Sequence, residues 1–202
     1  MWEWNGKVSR DDNIPQQAWF STTAPNDYGG HGKEIFHYVV HADSIRRGRP
    51  HMLGLEGTWA WLNKNPGNLT AGGRSVGEYP GKRNWHGFLV FPTEDVGFAA
   101  IPRFLEFNGY FPLSIRDAIK KYAPRGDGRN KPEHYAQHIV DALAGTTTTD
   151  GQPVTMETTL ATLTDTQMIE VQKAIRTMEG TVAGVELSRD DPRLPDAVRA
   201  LL

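Results

Sequence analysis

The sequence predicts a mainly α-helical chain, a helical bundle whose first half is loop-rich and partly β. Three observations carry that expectation. Beyond residue 90, apolar residues recur at helical spacing between residues that start and stop helices. Before residue 90, glycine, proline and asparagine interrupt the chain too often for long elements. With 202 residues, 38% hydrophobic and 23% charged, the chain can bury a core and has the composition of a globular domain.

Taken in order, Asn26-Asp27-Tyr28-Gly29-Gly30 is a turn cluster. Glu34 to Val40 mixes aromatic and β-branched residues, which favours a strand, although a short helix fits nearly as well. Pro50 to Leu62 reads as helical with Pro50 at a permitted first position, and Asn65 to Gly81 returns to loop. Phe98, Ile101 and Leu105 then share a face within Glu94 to Phe107, where Pro102 predicts a kink or restart. Ser114 and Asp117 form a capping pair for a helix carrying Ile115, Ala118, Ile119 and Tyr122 on one side. Pro124 stops it. Pro132 opens a further helix burying Tyr135, Ile139 and Ala142 and ending at Gly145, followed by a threonine-rich connection. Thr164 and Gln167 cap the last long helix, striped by Met168, Val171, Ile175 and Met178 and closed by Gly180. The tail from Thr181 carries little pattern before Leu194.

Composition excludes several classes of function. Zero cysteines remove disulfide scaffolds, thiolate metal sites and cysteine nucleophiles. Twenty-two Lys and Arg against 24 Asp and Glu give no general field for polyanions, so no nucleic-acid partner is expected. No stretch approaches the ~20 apolar residues of a membrane span, and Met1 to Gly6 lacks the pattern of a signal peptide. His37-x-x-x-His41 and His134-x-x-x-His138 would each put two imidazoles on one helical face, but neither has the His-Glu-x-x-His order or an obvious third ligand. No metal and no cofactor are expected. Arg46, Arg47 and Arg49 read as a solvated basic turn.

The densest chemistry lies between Gly54 and Thr70. Glu56 sits among apolar and aromatic neighbours, surroundings that suit a carboxyl acting as general acid. Asn65-Pro66-Gly67-Asn68 is turn chemistry, with Gly67 available for the positive φ of a type II turn. Its two amides suit sugar hydroxyls and N-acetyl groups, and Trp59, Trp61 and Trp85 offer faces for sugar rings. The plainer alternatives are a solvated glutamate, an ordinary turn and packed tryptophans.

Glu56-Gly57 followed by Asn65-Pro66-Gly67-Asn68-Leu69-Thr70 resembles the lysozyme-like peptidoglycan hydrolases and lytic transglycosylases of phage, prophage and type VI secretion effectors. Phe91, Gly97-Phe98-Ala99-Ala100 and Leu105 resemble the helix after their turn region. Tyr122-Ala123-Pro124 with Asp127, Asn130 and Tyr135 resembles their Tyr-Ala-Pro element, and Ala174 to Gly180 their last helix. The resemblance covers residues 50–180 as a catalytic domain, leaving 1–49 as an extension or loop-rich subdomain and 181–202 as a tail. It implies an α+β lysozyme-like fold around a substrate cleft. It also implies a catalytic Glu56, with Trp59, Trp61, Asn65, Asn68, Thr70, Tyr122, Asp127 and Tyr135 on the substrate. Ala99 departs from the basic residue relatives often carry, and Asn65 stands where phage lysozymes place an aspartate.

An asparagine can neither deprotonate water nor form a glycosyl ester. One mechanism implied by the resemblance is therefore lytic transglycosylation, with Glu56 as acid and base and the muramoyl 6-hydroxyl as nucleophile. The other is hydrolysis with a second carboxylate, for which Glu78, Glu94, Asp95 and Asp127 are candidates and Glu179 reads as a solvated helix end. The expected partners are peptidoglycan glycan strands, with an immunity protein and a secretion-system or virion component following from the resemblance. Delivery to a target-cell periplasm then proceeds without a signal peptide. The competing functions are a non-catalytic wall-binding or virion protein on the same fold and, further off, a zinc peptidase cutting peptide stems.

Overall fold

A computed structural model describes residues 7–9, 20–23, 36–41, 43–50, 56–70, 82–84, 87–126, 130–200 and 202. Among them the chain is mixed α+β. Strands β1 (Lys7–Ser9), β2 (Phe20–Thr23), β3 (His37–Val40) and β4 (Ile45–Gly48) form a meander. A late strand, β7 (Val185–Leu187), completes an antiparallel sheet of order β1-β2-β3-β4-β7. The expected extension and tail thus share one sheet. Residues 185–187 lacked a sequence signal because three residues are too short to display a period.

Between β4 and the helices lie a one-turn helix α1 (Trp59–Leu62) and a small ribbon of β5 (Lys82–Arg83) with β6 (Leu89–Val90). Of the helix expected over Pro50 to Leu62, the described residues show α1, and residues 51–55 lie outside the described set. The turn cluster at 26–30 and all of 71–81 lie outside it as well.

The helical half follows the sequence closely. Helices α2 (Glu94–Phe107), α3 (Ile115–Tyr122), α4 (Pro132–Ala142) and α5 (Asp165–Glu179) enclose the main core, in which Phe91, Ile101, Leu105, Ile115, Ile139 and Ile175 are fully buried. Ser114 accepts the Asp117 N–H at 3.1 Å, and Thr164 with Gln167 forms a reciprocal cap on α5. Two details differ from expectation. Helix α2 continues through Pro102, because losing one ladder bond to Phe98 costs less than unpacking Ile101 and Leu105. On α4 the buried face is Pro132, Tyr135, Ala136 and Ile139, and Ala142 is exposed while Leu143 packs inward. A final short helix α6 (Asp196–Arg199) lays Val198 and Leu194 against the sheet with Ile45 and Leu187.

Buried cations tie the sheet to the helices. Arg46 is no solvated turn residue: it is 8% exposed, pairs with Glu186 at 3.0 Å and Glu94 at 3.1 Å, and lies over the Trp61 ring. Lys64 reaches Asp43 at 2.8 Å and the Pro92 carbonyl at 3.1 Å. These pairs are long-range in sequence, which is why a basic run read locally looked like surface.

Candidate active site

Glu56 lies in a bend just before α1. Its side chain is about one-third exposed and faces the Arg49 guanidinium at 3.9 Å, while its carbonyl accepts the Arg49 N–H at 2.9 Å. It therefore stands beside a cation at the rim of the sheet. The glycine after it has a structural reason. Gly57 takes a φ of +73°, and a Cβ there would stand 2.2 Å from the Gly48 Cα. Gly184 approaches the same point, so three chain segments cross at Glu56-Gly57 through glycines.

The polar turn is held from below. Asn68 N–H closes onto the Asn65 carbonyl at 2.9 Å. Gly67 is not in the left-handed region, so the expected type II turn is absent; Lys64 (φ 50°) and Asn68 (φ 45°) take that conformation instead. Gly67 is needed for space, since a Cβ would meet Ile101, Leu69 and the Tyr122 hydroxyl at 3.0 Å.

Asn65 is fully buried and fully used. Its amide donates to the Leu69 and Leu89 carbonyls at 2.9 and 3.0 Å, and its oxygen accepts the Leu69 N–H at 2.9 Å. It fixes the loop rather than facing a substrate, correcting the sequence expectation. Trp59 and Trp61 are corrected likewise. At 8% and 7% exposure they are packed, Trp59 against His37 and Phe88 and Trp61 beneath Arg46. Thr70 is exposed and bridges to Phe88. Asp127, Glu78 and Trp85 lie outside the described residues.

Three expected substrate residues, Asn68, Tyr122 and Tyr135, do meet, around a carboxylate that read as solvated. Glu179, half-buried in the last turn of α5, accepts hydrogen bonds from Asn68 Nδ2 and the Tyr135 hydroxyl, each at 3.1 Å. The Tyr122 hydroxyl donates to the Gly67 carbonyl alongside, and its ring stands edge-on to that of Tyr135 with centroids 6.3 Å apart. Burial first, then the Glu179 charge, pushes both phenols well above their ordinary pKa, so they remain neutral donors. A sequence signal for Glu179 existed: a carboxylate in the last turn of a helix opposes the helix dipole, a placement fold stability does not favour.

The two glutamates belong to one seam. Thr58, two residues after Glu56, donates its N–H to the Val182 carbonyl at 3.1 Å and accepts the Val182 N–H through its hydroxyl at 3.1 Å. Val182 follows Glu179 by three residues. Beside this seam lies a groove of about 310 Å³, of the size that small ligands occupy. Ala60, Pro66, Phe98 and Thr181 line it together with the charged Glu94, Asp95, Lys173 and Arg176. Glu94 is held by Arg46.

Of the histidine pairs, His134 and His138 share a face of α4 as read, whereas His37 and His41 do not lie on a helix. His37 and His41 belong to the β3 segment and are buried, with His41 Nε2 on the Leu62 carbonyl at 2.8 Å. On α4, His134 is exposed and His138 half-buried. Among the described residues, no group of three or more His, Asp or Glu side chains is placed to hold a metal ion. No described helix is long and apolar enough to cross a membrane.

No family model, curated protein or solved structure matches the chain.

Proposed function

We propose that this protein cleaves the glycan strands of bacterial peptidoglycan at the MurNAc-GlcNAc β-1,4 bond, with Glu56 as general acid. The observation that carries this is convergence. Asn68, Tyr122, Tyr135 and Glu179, separated by as many as 111 residues, each belong to a motif of the lysozyme-like resemblance, and they meet at one point. A fortuitous set of motif matches carries no requirement that the matched residues meet.

Glu56, about one-third exposed, stands on the seam leading to that cluster, where a glycosidic oxygen can reach it. The adjoining groove is large enough for part of a sugar chain, and the apolar Ala60, Pro66 and Phe98 in its lining suit the C–H faces of pyranose rings. With Trp59 and Trp61 packed away, recognition does not use the faces of these two indoles. As an antibacterial effector or phage-type lysin, the protein would be carried to the target periplasm by a secretion-system or virion component. An effector would further require a neutralising immunity partner in the producing cell.

The test is directed expression. Export to the periplasm lyses cells, cytoplasmic expression is harmless, and Glu56→Gln abolishes the periplasmic effect. Equal toxicity in both compartments contradicts a wall target. Lysis that survives Glu56→Gln favours the non-catalytic wall-binding protein.

A further inference from the structure

We infer that the groove beside the seam is a subsite for the peptide stem of the strand, where Arg176 takes a stem carboxylate and Asp95 the free amine of a stem diamino acid. This rests on the glycan-cleaving function proposed above and adds a substrate class: strands whose stems are present and not cross-linked.

The charges of the groove divide into two kinds. Glu94 and Asp95 come from the first turn of α2, Lys173 and Arg176 from the C-terminal half of α5. Two of the four are committed, Glu94 to Arg46 at 3.1 Å and Lys173 to Glu170 at 2.7 Å. Asp95 and Arg176 are not: among the described residues neither has an ion-pair partner, and they do not reach each other although both open onto one groove. Each sits at the helix end that favours its sign, the carboxylate in the first turn of α2 and the guanidinium in the last turn of α5, so neither charge needs a protein partner. One open charge of each sign matches a zwitterion. A bare sugar chain has no amine to place beside Asp95, whereas a stem diamino acid carries an amine and a carboxylate. The apolar Ala60, Pro66 and Phe98 suit the methylene chain of such a residue as well as a sugar face.

The groove is preformed and close to Glu56. A Cβ at Gly97 would collide with the Lys64 carbonyl oxygen, so this glycine seats the start of α2 directly on the turn and fixes Phe98 and Pro66 together. Thr181 is held by its neighbour Val182, which exchanges hydrogen bonds with Thr58. Ala60 follows Glu56 by four residues, which limits their Cα separation to about 14 Å. Three extended stem residues span about 10–11 Å, enough to carry the third, diamino residue from a muramoyl unit at Glu56 into the groove.

The test uses the full chain on three soluble substrates: uncross-linked strands bearing tripeptide stems, the same strands after an amidase has removed the stems, and stem-bearing strands with acetylated amines. Wild type is expected to cleave the first with a kcat/KM about tenfold above the second, the lower end for hydrogen bonds to charged groups. Arg176→Gln and Asp95→Asn, at exposed positions that tolerate substitution, each lower that ratio, and together they bring it to about one. Acetylated stems lower the wild-type ratio and leave nothing further for Asp95→Asn to remove, a response that a purely structural aspartate cannot give. A wild-type ratio near one, or a ratio that survives the double substitution, overturns the subsite while leaving glycan cleavage standing. No cleavage of any strand by wild type, where a control lysozyme cuts them, overturns glycan cleavage itself and this subsite with it.

Discussion

Replacing Asn65 by aspartate separates a structural residue from a catalytic one. By sequence, Asn65→Asp restores the residue phage lysozymes carry at this spacing and should help the reaction. By structure it should cripple the fold. The amide makes two donations, to the Leu69 and Leu89 carbonyls, that a carboxylate cannot make, and the side chain has no exposed surface. Each lost buried hydrogen bond costs about 1–3 kcal/mol, and the acceptors left behind face either a charge or a newly protonated acid. A buried unpaired carboxylate adds several kcal/mol more unless it takes up a proton. The sum is about 4 kcal/mol or more, a large share of the 5–15 kcal/mol that stabilises an ordinary domain. Urea denaturation followed by tryptophan fluorescence reads it directly, because Trp59 and Trp61 lie one short helix away from Asn65. A variant within 1 kcal/mol of wild type and more active on sacculi would refute the structural role of Asn65 and return it to the substrate.

Other expectations follow from buried groups. His41 is held neutral, its pKa lowered from 6.5 to about 3, chiefly by burial and secondarily by the Lys64 and Arg46 charges. The unfolded chain therefore binds a proton that the native chain does not between about pH 6.5 and 3, so stability falls as pH drops through that window. The loss is about 2 kcal/mol between pH 7 and 5, measurable by urea titration at both values; His41→Gln, which can still donate to Leu62, should flatten that slope. Gly57→Ala places a methyl 2.2 Å from the Gly48 Cα at a left-handed φ, and circular dichroism should report a loss of about 3 kcal/mol or failure to fold. Trp59→Ala should cost about 3–5 kcal/mol of stability. If it instead lowered substrate affinity with stability intact, the packed role of Trp59 would be wrong. Tyr135→Phe removes one donor to Glu179 and should cost about 1–2 kcal/mol of stability, measurable by urea denaturation.

The helices were legible because their signals are local. Thr164, Gln167 and Gly180 state where α5 begins and ends, and the Met168, Val171 and Ile175 stripe states which face it buries. The sheet was only partly legible: β3 carries an aromatic and β-branched run, but β7 is three residues whose partner, β4, lies about 140 positions earlier. The site shows the same divide. Glu56-Gly57 and the Asn-Pro-Gly-Asn turn are visible as strings, yet their division of labour is not. Two asparagines three residues apart look equivalent, and only tertiary placement seals Asn65 into the backbone and turns Asn68 to Glu179. Polar-to-polar pairing across 111 residues leaves no periodicity to read. The tryptophans failed as binding faces for a general reason: an aromatic pair in a short helix packs on the core unless the fold holds it open, and here Arg46 and His37 close over it.

The most direct measurement is a digest of purified sacculi by wild type and Glu56→Gln, with the products analysed by mass spectrometry without prior borohydride reduction. The expected result is shortened glycans from wild type and none from Glu56→Gln. Intact glycan strands from both proteins, under conditions where a control lysozyme cuts them, would contradict the account.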